Sequence, residues 1–135
     1  MVVGIGTDTV LIERVSQMVA RWGERFAQRV LGPQEYQEYQ RRKSRGLAGP
    51  DRAVRYVAKR FAAKEAIGKA LGVGLHHPMS LHSVEILNDP RGAPVAVARK
   101  ALAAYLAERQ YHIHVSISDE IGHAQALAIV QTASS

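Results

Sequence analysis

Arg60-Phe61-Ala62-Ala63-Lys64-Glu65-Ala66-Ile67-Gly68-Lys69-Ala70-Leu71-Gly72 sets one carboxylate among three cations, on a run of good helix formers that ends in glycine. Traced back to Arg52, the positions Val54, Val57, Phe61, Ile67 and Leu71 mark the buried side of one long helix, which Gly72 and Gly74 terminate. This helix is expected at the centre of the domain. A second carboxylate lies far away in sequence, at the end of Gly4-Ile5-Gly6-Thr7-Asp8. Two carboxylates among Lys and Arg point to a hard cation shared with phosphate oxygens, because Mg²⁺ is commonly held by one or two carboxylates plus substrate phosphates.

Outward from these motifs, Val2 to Thr7 reads as a strand, with Thr7 or Asp8 as the N-cap of the next helix. Leu11, Val15, Met18 and Trp22 recur at helical spacing over Val10 to Trp22, leaving Arg14, Gln17 and Arg21 on the polar face. Gly23 interrupts this helix, a short one spans Glu24 to Leu31, and Gly32-Pro33 opens a third through Tyr36 and Tyr39. Arg41-Arg42-Lys43-Ser44-Arg45-Gly46, followed by Gly49-Pro50, reads as an exposed basic loop. His82 to Leu87 and Pro94 to Val97 form a hairpin around Asn88-Asp89-Pro90-Arg91-Gly92, and Ala98 to Arg109 is helical. His112 to Ser118 alternates Ile113, Val115 and Ile117 with His114, Ser116 and Ser118, so His114 points away from the apolar face. Ala124 to Val130 is a buried final strand. Helices early and strands late predict an α+β fold, an antiparallel sheet packed on the long helix, with residues 1–135 as a single domain.

The length of 135 residues suits one core, and 47% hydrophobic with 22% charged residues is a globular balance. With no cysteine, disulfides and thiol nucleophiles are excluded and a reducing compartment is permitted, so the cytoplasm is the expected location. No leader or membrane span is expected, since no apolar run has the length of either. The formal charge of +6 favours polyanionic partners, whether nucleic acid, a phosphorylated cofactor or an acidic protein.

Each motif also has a plain structural reading. Glu65 and Lys69, at i and i+4, would form a helical ion pair worth ~0.3 kcal/mol. Asp8 as an N-cap would contribute about 1 kcal/mol. Gly72-Val73-Gly74-Leu75 either caps the helix or lets a phosphate approach the backbone. Gly4 and Gly6 lack the third glycine of a dinucleotide fingerprint, so a Rossmann reading is rejected. His112 and His114 share a strand face without the further ligands a zinc site needs.

Together, Gly4-Ile5-Gly6-Thr7-Asp8, Arg60 to Ala66, Gly72 to Leu75 and His114-Val115-Ser116-Ile117-Ser118 closely resemble holo-[acyl-carrier-protein] synthases, the small 4'-phosphopantetheinyl transferases, over nearly the whole chain. The resemblance implies attack of a carrier-protein serine on the β-phosphate of coenzyme A, giving phosphopantetheinyl-serine and adenosine 3',5'-bisphosphate for fatty acid or polyketide synthesis. It implies Asp8 and Glu65 as Mg²⁺ ligands, with Lys69 completing the catalytic set, and either a metal-bound water or Glu65 accepting the serine proton. Lys64 and Lys69 become candidates for coenzyme A phosphates, Gly72, Gly74 and Leu75 for the approach of the nucleotide, and His114 for a nucleotide contact from a neighbouring subunit of a homotrimer. Many relatives carry a second histidine where this chain has Asp119, to which no role is assigned. The first helix resembles the docking surface for the acidic carrier protein, through Arg14, Met18 and Arg21, with Arg25 and Arg45 widening the patch. Neither nucleic acid nor membrane is expected as a partner. A basic nucleic-acid-binding module and a Mg²⁺-dependent phosphohydrolase are the competing functions, the first weakened by only 6% aromatic residues and no standard binding motif.

Overall fold

The computed structural model of the chain describes residues 1–133. Strand β1 (Val2–Leu11) leads into helices α1 (Ile12–Trp22), α2 (Glu24–Val30), α3 (Pro33–Lys43) and α4 (Gly49–Leu71). The hairpin of β2 (Val84–Asn88) and β3 (Pro94–Ala98), helix α5 (Lys100–Arg109) and the strands β4 (Tyr111–Asp119) and β5 (His123–Thr132) follow. β5 is the middle strand of an antiparallel sheet ordered β1-β5-β4, and β2 and β3 pair separately. The fold is α+β, with α4 laid across one face of the three-stranded sheet.

The first strand is longer than its apolar run. β1 keeps pairing with β5 through Asp8↔Ala126, Val10↔Ala124 and Leu11↔His123, so Asp8 sits within the strand and is not an N-cap. α1 starts only at Ile12, whose N–H donates to the Gly122 carbonyl at 3.0 Å. Its core contacts are Ile12 and Val15, and the expected core positions Leu11, Met18 and Trp22 are exposed.

The basic loop is likewise mostly helix. Arg41, Arg42 and Lys43 form the last turn of α3, where cations complement the helix dipole. Glu38 takes hydrogen bonds from both Arg41 and Arg42, which hold its carboxyl down at a pKa of about 2. Lys43 pairs with Glu24.

α4 is buried on more sides than its Val and Ile spacing implies. Val57 and Ile67 are in the core as expected, but so are Ala53, Ala58, Ala62, Ala63, Ala66 and Ala70, while Phe61 and Leu71 are only partly covered. Alanine lets the sheet approach on one side and α3 with the hairpin on the other. The glycines of β1 complete this fit: a Cβ at Gly4 would lie 1.8 Å from the Ala70 carbonyl oxygen, and one at Gly6 would lie 2.1 Å from that of Ala66. No side chain fits there, so these glycines serve helix–strand contact.

Candidate active site

The close approach of β1 to α4 determines what Asp8 meets. Two residues beyond Gly6 on the same strand face, its carboxylate accepts a hydrogen bond from Lys69 Nζ at 3.0 Å, and the same ammonium donates to the Thr7 carbonyl at 3.0 Å. Lys69 therefore turns to the strand, and its expected helical pair with Glu65 is not formed among the described residues. Glu65 stands one turn earlier on α4, partly buried. Burial raises its carboxyl pKa above the ordinary value, the negative charge of Asp8 raises it further, and the Lys69 ammonium opposes both. Two carboxylates close enough to repel each other, with one cation between strand and helix, leave a local excess of negative charge.

At the end of α4, Gly72 adopts the left-handed conformation with φ of 77°. The N–H groups of Val73 and Gly74 both donate to the Gly68 carbonyl, at 3.1 and 2.9 Å, and that of Gly72 to Lys69 at 3.0 Å. The turn is thus a helix cap whose amides at 72 to 74 are already used. Its outer side is open, since a Cβ at Gly72 would meet nothing within 4 Å.

The other two cations of the motif face away from this site. Lys64 is 0% exposed and its three donors are spent on Glu35 Oε1 at 2.6 Å, the Val30 carbonyl at 2.7 Å and the Leu81 carbonyl at 2.7 Å. This corrects the expectation that Lys64 binds coenzyme A phosphates: it is sealed in the core on a buried partner. Burial pushes its ammonium pKa down, and Glu35 opposes that shift. Glu35 in turn accepts from the backbone N–H groups of Gly32 at 2.9 Å and Ile86 at 2.7 Å. Arg60 is also buried, donating to the Ile86 carbonyl at 3.1 Å and to Asn88 Oδ1 at 2.6 Å while stacking on Tyr56. Sequence reasoning missed this network, although Glu35 in a mostly polar helix was its visible partner.

His114 lies on the opposite face of the sheet from α4, exposed, with Nε2 2.9 Å from Gln131 Oε1. Its cross-strand neighbour is Ile129, which in turn pairs with Ile5. That outer face also exposes Val3, Ile5 and Leu127, with Ile5 at 62%.

On α1, Arg14 and Arg21 are exposed, and Arg21 sits over the Trp22 ring. Met18, Trp22, Arg25, Phe26 and Arg29 line a groove of about 440 Å³. Phe26 and Arg29 carry no signal in the sequence, and Trp22, whose period reads as a core position, is 48% exposed. Arg45 lines a different groove, with Arg41, Arg42, Arg52, Arg55 and Lys59. The spacing of Arg52, Arg55 and Lys59, at i, i+3 and i+7, was the signal for that second groove.

The 4'-phosphopantetheinyl transferase superfamily model matches residues 4–130. The chain is 45% identical over 131 residues to the holo-[acyl-carrier-protein] synthase of Herminiimonas arsenicoxydans, covering 97% of this chain and 98% of that protein. Its structure superimposes on the crystal structure of the holo-[acyl-carrier-protein] synthase from Neisseria meningitidis with a TM-score of 0.87 at 34% identity, covering 98% of this chain and 100% of that one. The Bacillus anthracis synthase in complex with CoA (3',5'-ADP) gives a TM-score of 0.80 at 32% identity, over 98% and 99% of the two chains. The nearly full-length matches and the common fold agree, and the chain belongs to the 4'-phosphopantetheinyl transferase superfamily.

Proposed function

We propose that the site formed by Asp8, Glu65 and Lys69 transfers the 4'-phosphopantetheine group of coenzyme A to a serine of apo acyl carrier protein, releasing adenosine 3',5'-bisphosphate. The observation that carries this reading is the glycine-dependent contact of β1 with α4, which brings two carboxylates distant in sequence together with a lysine. The names of the relatives and the coenzyme A complex of a structural neighbour support it.

The donor set fits Mg²⁺. Asp8 and Glu65 offer hard oxygen donors, and among the described residues no three of His, Cys, Asp or Glu gather into a closed cage. One or two carboxylates are the usual protein share of a Mg²⁺ site. Asp8 and Glu65 would hold the ion, and when bound it would neutralise charge developing on the diphosphate oxygens. Lys69 has spent two of its three N–H donors, on Asp8 and Thr7, which leaves one for a phosphate oxygen. Either Glu65 or a water held beside it would accept the serine proton. The open side of Gly72, with Gly74 and Leu75 beyond it, is the approach for the nucleotide.

His114 cannot reach the Asp8 and Glu65 site of its own subunit, because the sheet lies between them. Its nucleotide contact therefore requires a neighbouring subunit, and the exposed Val3, Ile5 and Leu127 supply an apolar face for a homotrimer. Arg14, Arg21 and Arg25 around Met18 form the docking surface for the acidic carrier protein. No helix among the described residues is long and apolar enough to cross a membrane. The cysteine-free chain is assigned to the cytoplasm.

The test is mass spectrometry of apo carrier protein incubated with coenzyme A, Mg²⁺ and this chain. A phosphopantetheine-sized mass gain that needs both coenzyme A and Mg²⁺ is expected; adenosine bisphosphate released without any carrier acceptor would instead indicate a hydrolase.

A further inference from the structure

Away from the catalytic site, six cations, Arg41, Arg42, Arg45, Arg52, Arg55 and Lys59, line one groove of about 260 Å³. Its acidic partners are of two kinds. Glu38 and Asp51 are helical neighbours of the arginines they pair with, at i+3 or i+4. Asp119 comes from the end of β4, 64 residues from Arg55 and 60 from Lys59, and reaches Arg55 Nη1 at 3.1 Å and Lys59 Nζ at 3.4 Å. The fold brings this one carboxylate to the groove from the sheet.

The two cations depend on Asp119 unequally. Arg55 also donates to the carbonyls of Glu120 at 2.9 Å and Ile121 at 2.8 Å, so it stays clamped to the β4–β5 turn whatever happens to Asp119. Lys59 has no other hydrogen-bond or ion-pair partner among the described residues. Its 3.4 Å contact is long for a charge-assisted bond, which is usually about 2.7–2.9 Å. Arg45 and Arg52 have no ion-pair partner among the described residues. The groove thus holds cations ready for a multiply charged anion, and one loosely held lysine that a stronger acceptor would capture.

We propose that Asp119 sets the affinity of this groove for a phosphate-bearing nucleotide: it holds Lys59 until a phosphomonoester takes the lysine over, and its own negative charge weakens retention of that phosphate. The proposal rests on the transferase reading, under which the released nucleotide carries two phosphomonoesters. Asp119 is an affinity-setting residue outside the chemical step, so its removal acts on nucleotide binding and salt dependence.

The experiment is calorimetric titration of the full chain, its Asp119→Asn and Lys59→Met variants and the double variant with adenosine 3',5'-bisphosphate, and with adenosine as the uncharged control, at two salt concentrations. Asp119→Asn is expected to tighten bisphosphate binding about three- to tenfold, with a steeper salt dependence, and to leave adenosine unchanged. Lys59→Met weakens bisphosphate binding, and in that background Asp119→Asn brings a smaller gain than in the wild-type chain, since only the direct repulsion is left to remove. Unchanged or weaker bisphosphate binding in Asp119→Asn overturns the proposal, as does an equal gain for adenosine. Equal binding by the wild-type chain and Lys59→Met also overturns it, while leaving the Asp8 and Glu65 assignment intact, because that assignment is read by the transfer assay.

Discussion

Two neighbouring rows of charge run along α4 and end differently. Arg60 and Lys64 turn into the protein, where Lys64 spends its three donors on two carbonyls and a carboxylate and Arg60 reaches a carbonyl and an amide oxygen. Glu65 and Lys69 turn to β1, where a partly buried carboxylate faces Asp8 and Lys69 remains half exposed. In the first row the charges are satisfied and sealed, and they hold α2, α3, β2 and the 81 loop against the helix. In the second row negative charge is left over and a donor is free. Complete pairing marks the structural face, and incomplete pairing at an open edge marks the chemical one.

The largest expected effect lies on the sealed row. Lys64→Met leaves Glu35 charged and unpaired in the core and should cost about 3–5 kcal/mol, read by chemical denaturation. Pairing it with Glu35→Leu should recover much of that loss. If Lys64→Met is as stable as wild type but binds coenzyme A more weakly, the division between the two rows fails.

A smaller effect is expected where the rows meet the strand. Gly6→Ala puts a methyl group against the Ala66 carbonyl and should cost about 1–3 kcal/mol. It should also lower transfer, because Asp8 lies two residues along the displaced strand. Full transfer in a destabilised Gly6→Ala would separate strand packing from the site.

The smallest effect is a titration. Followed by carboxyl NMR without added metal, Glu65 should titrate above the ordinary glutamate range. Asp8→Asn should move it down by removing the facing charge, and Lys69→Met should move it further up by removing the opposing one. No response to either change would show that the three groups are not neighbours in solution.

Much of this was legible in the sequence, but unevenly. The long helix, its glycine stop, the hairpin and the alternating β4 follow from periodicity and turn residues. The placement of Asp8 does not: a polar residue after an apolar run reads as a cap, and only pairing with β5 keeps the strand extended past it. Nor does the split between the two rows, because consecutive positions on a helix differ by roughly 100° and spacing alone does not say which row meets the core. The identities of the small residues contained part of the answer, since Gly4, Gly6 and the alanines of α4 permit the close contact that joins the carboxylates. Asp119 was visible only as a departure from the relatives, and its contacts with Arg55 and Lys59 depend on tertiary structure.

The most direct measurement of the central claim compares Glu65→Gln with wild type, recording the mass gain of apo carrier protein and the unfolding midpoint of the same samples. Loss of transfer by about 10²–10³-fold, with a nearly unchanged midpoint, is the predicted result, in line with loss of a group that stabilises the transition state. Wild-type transfer by Glu65→Gln would contradict the assignment of the open row of α4 to the chemistry.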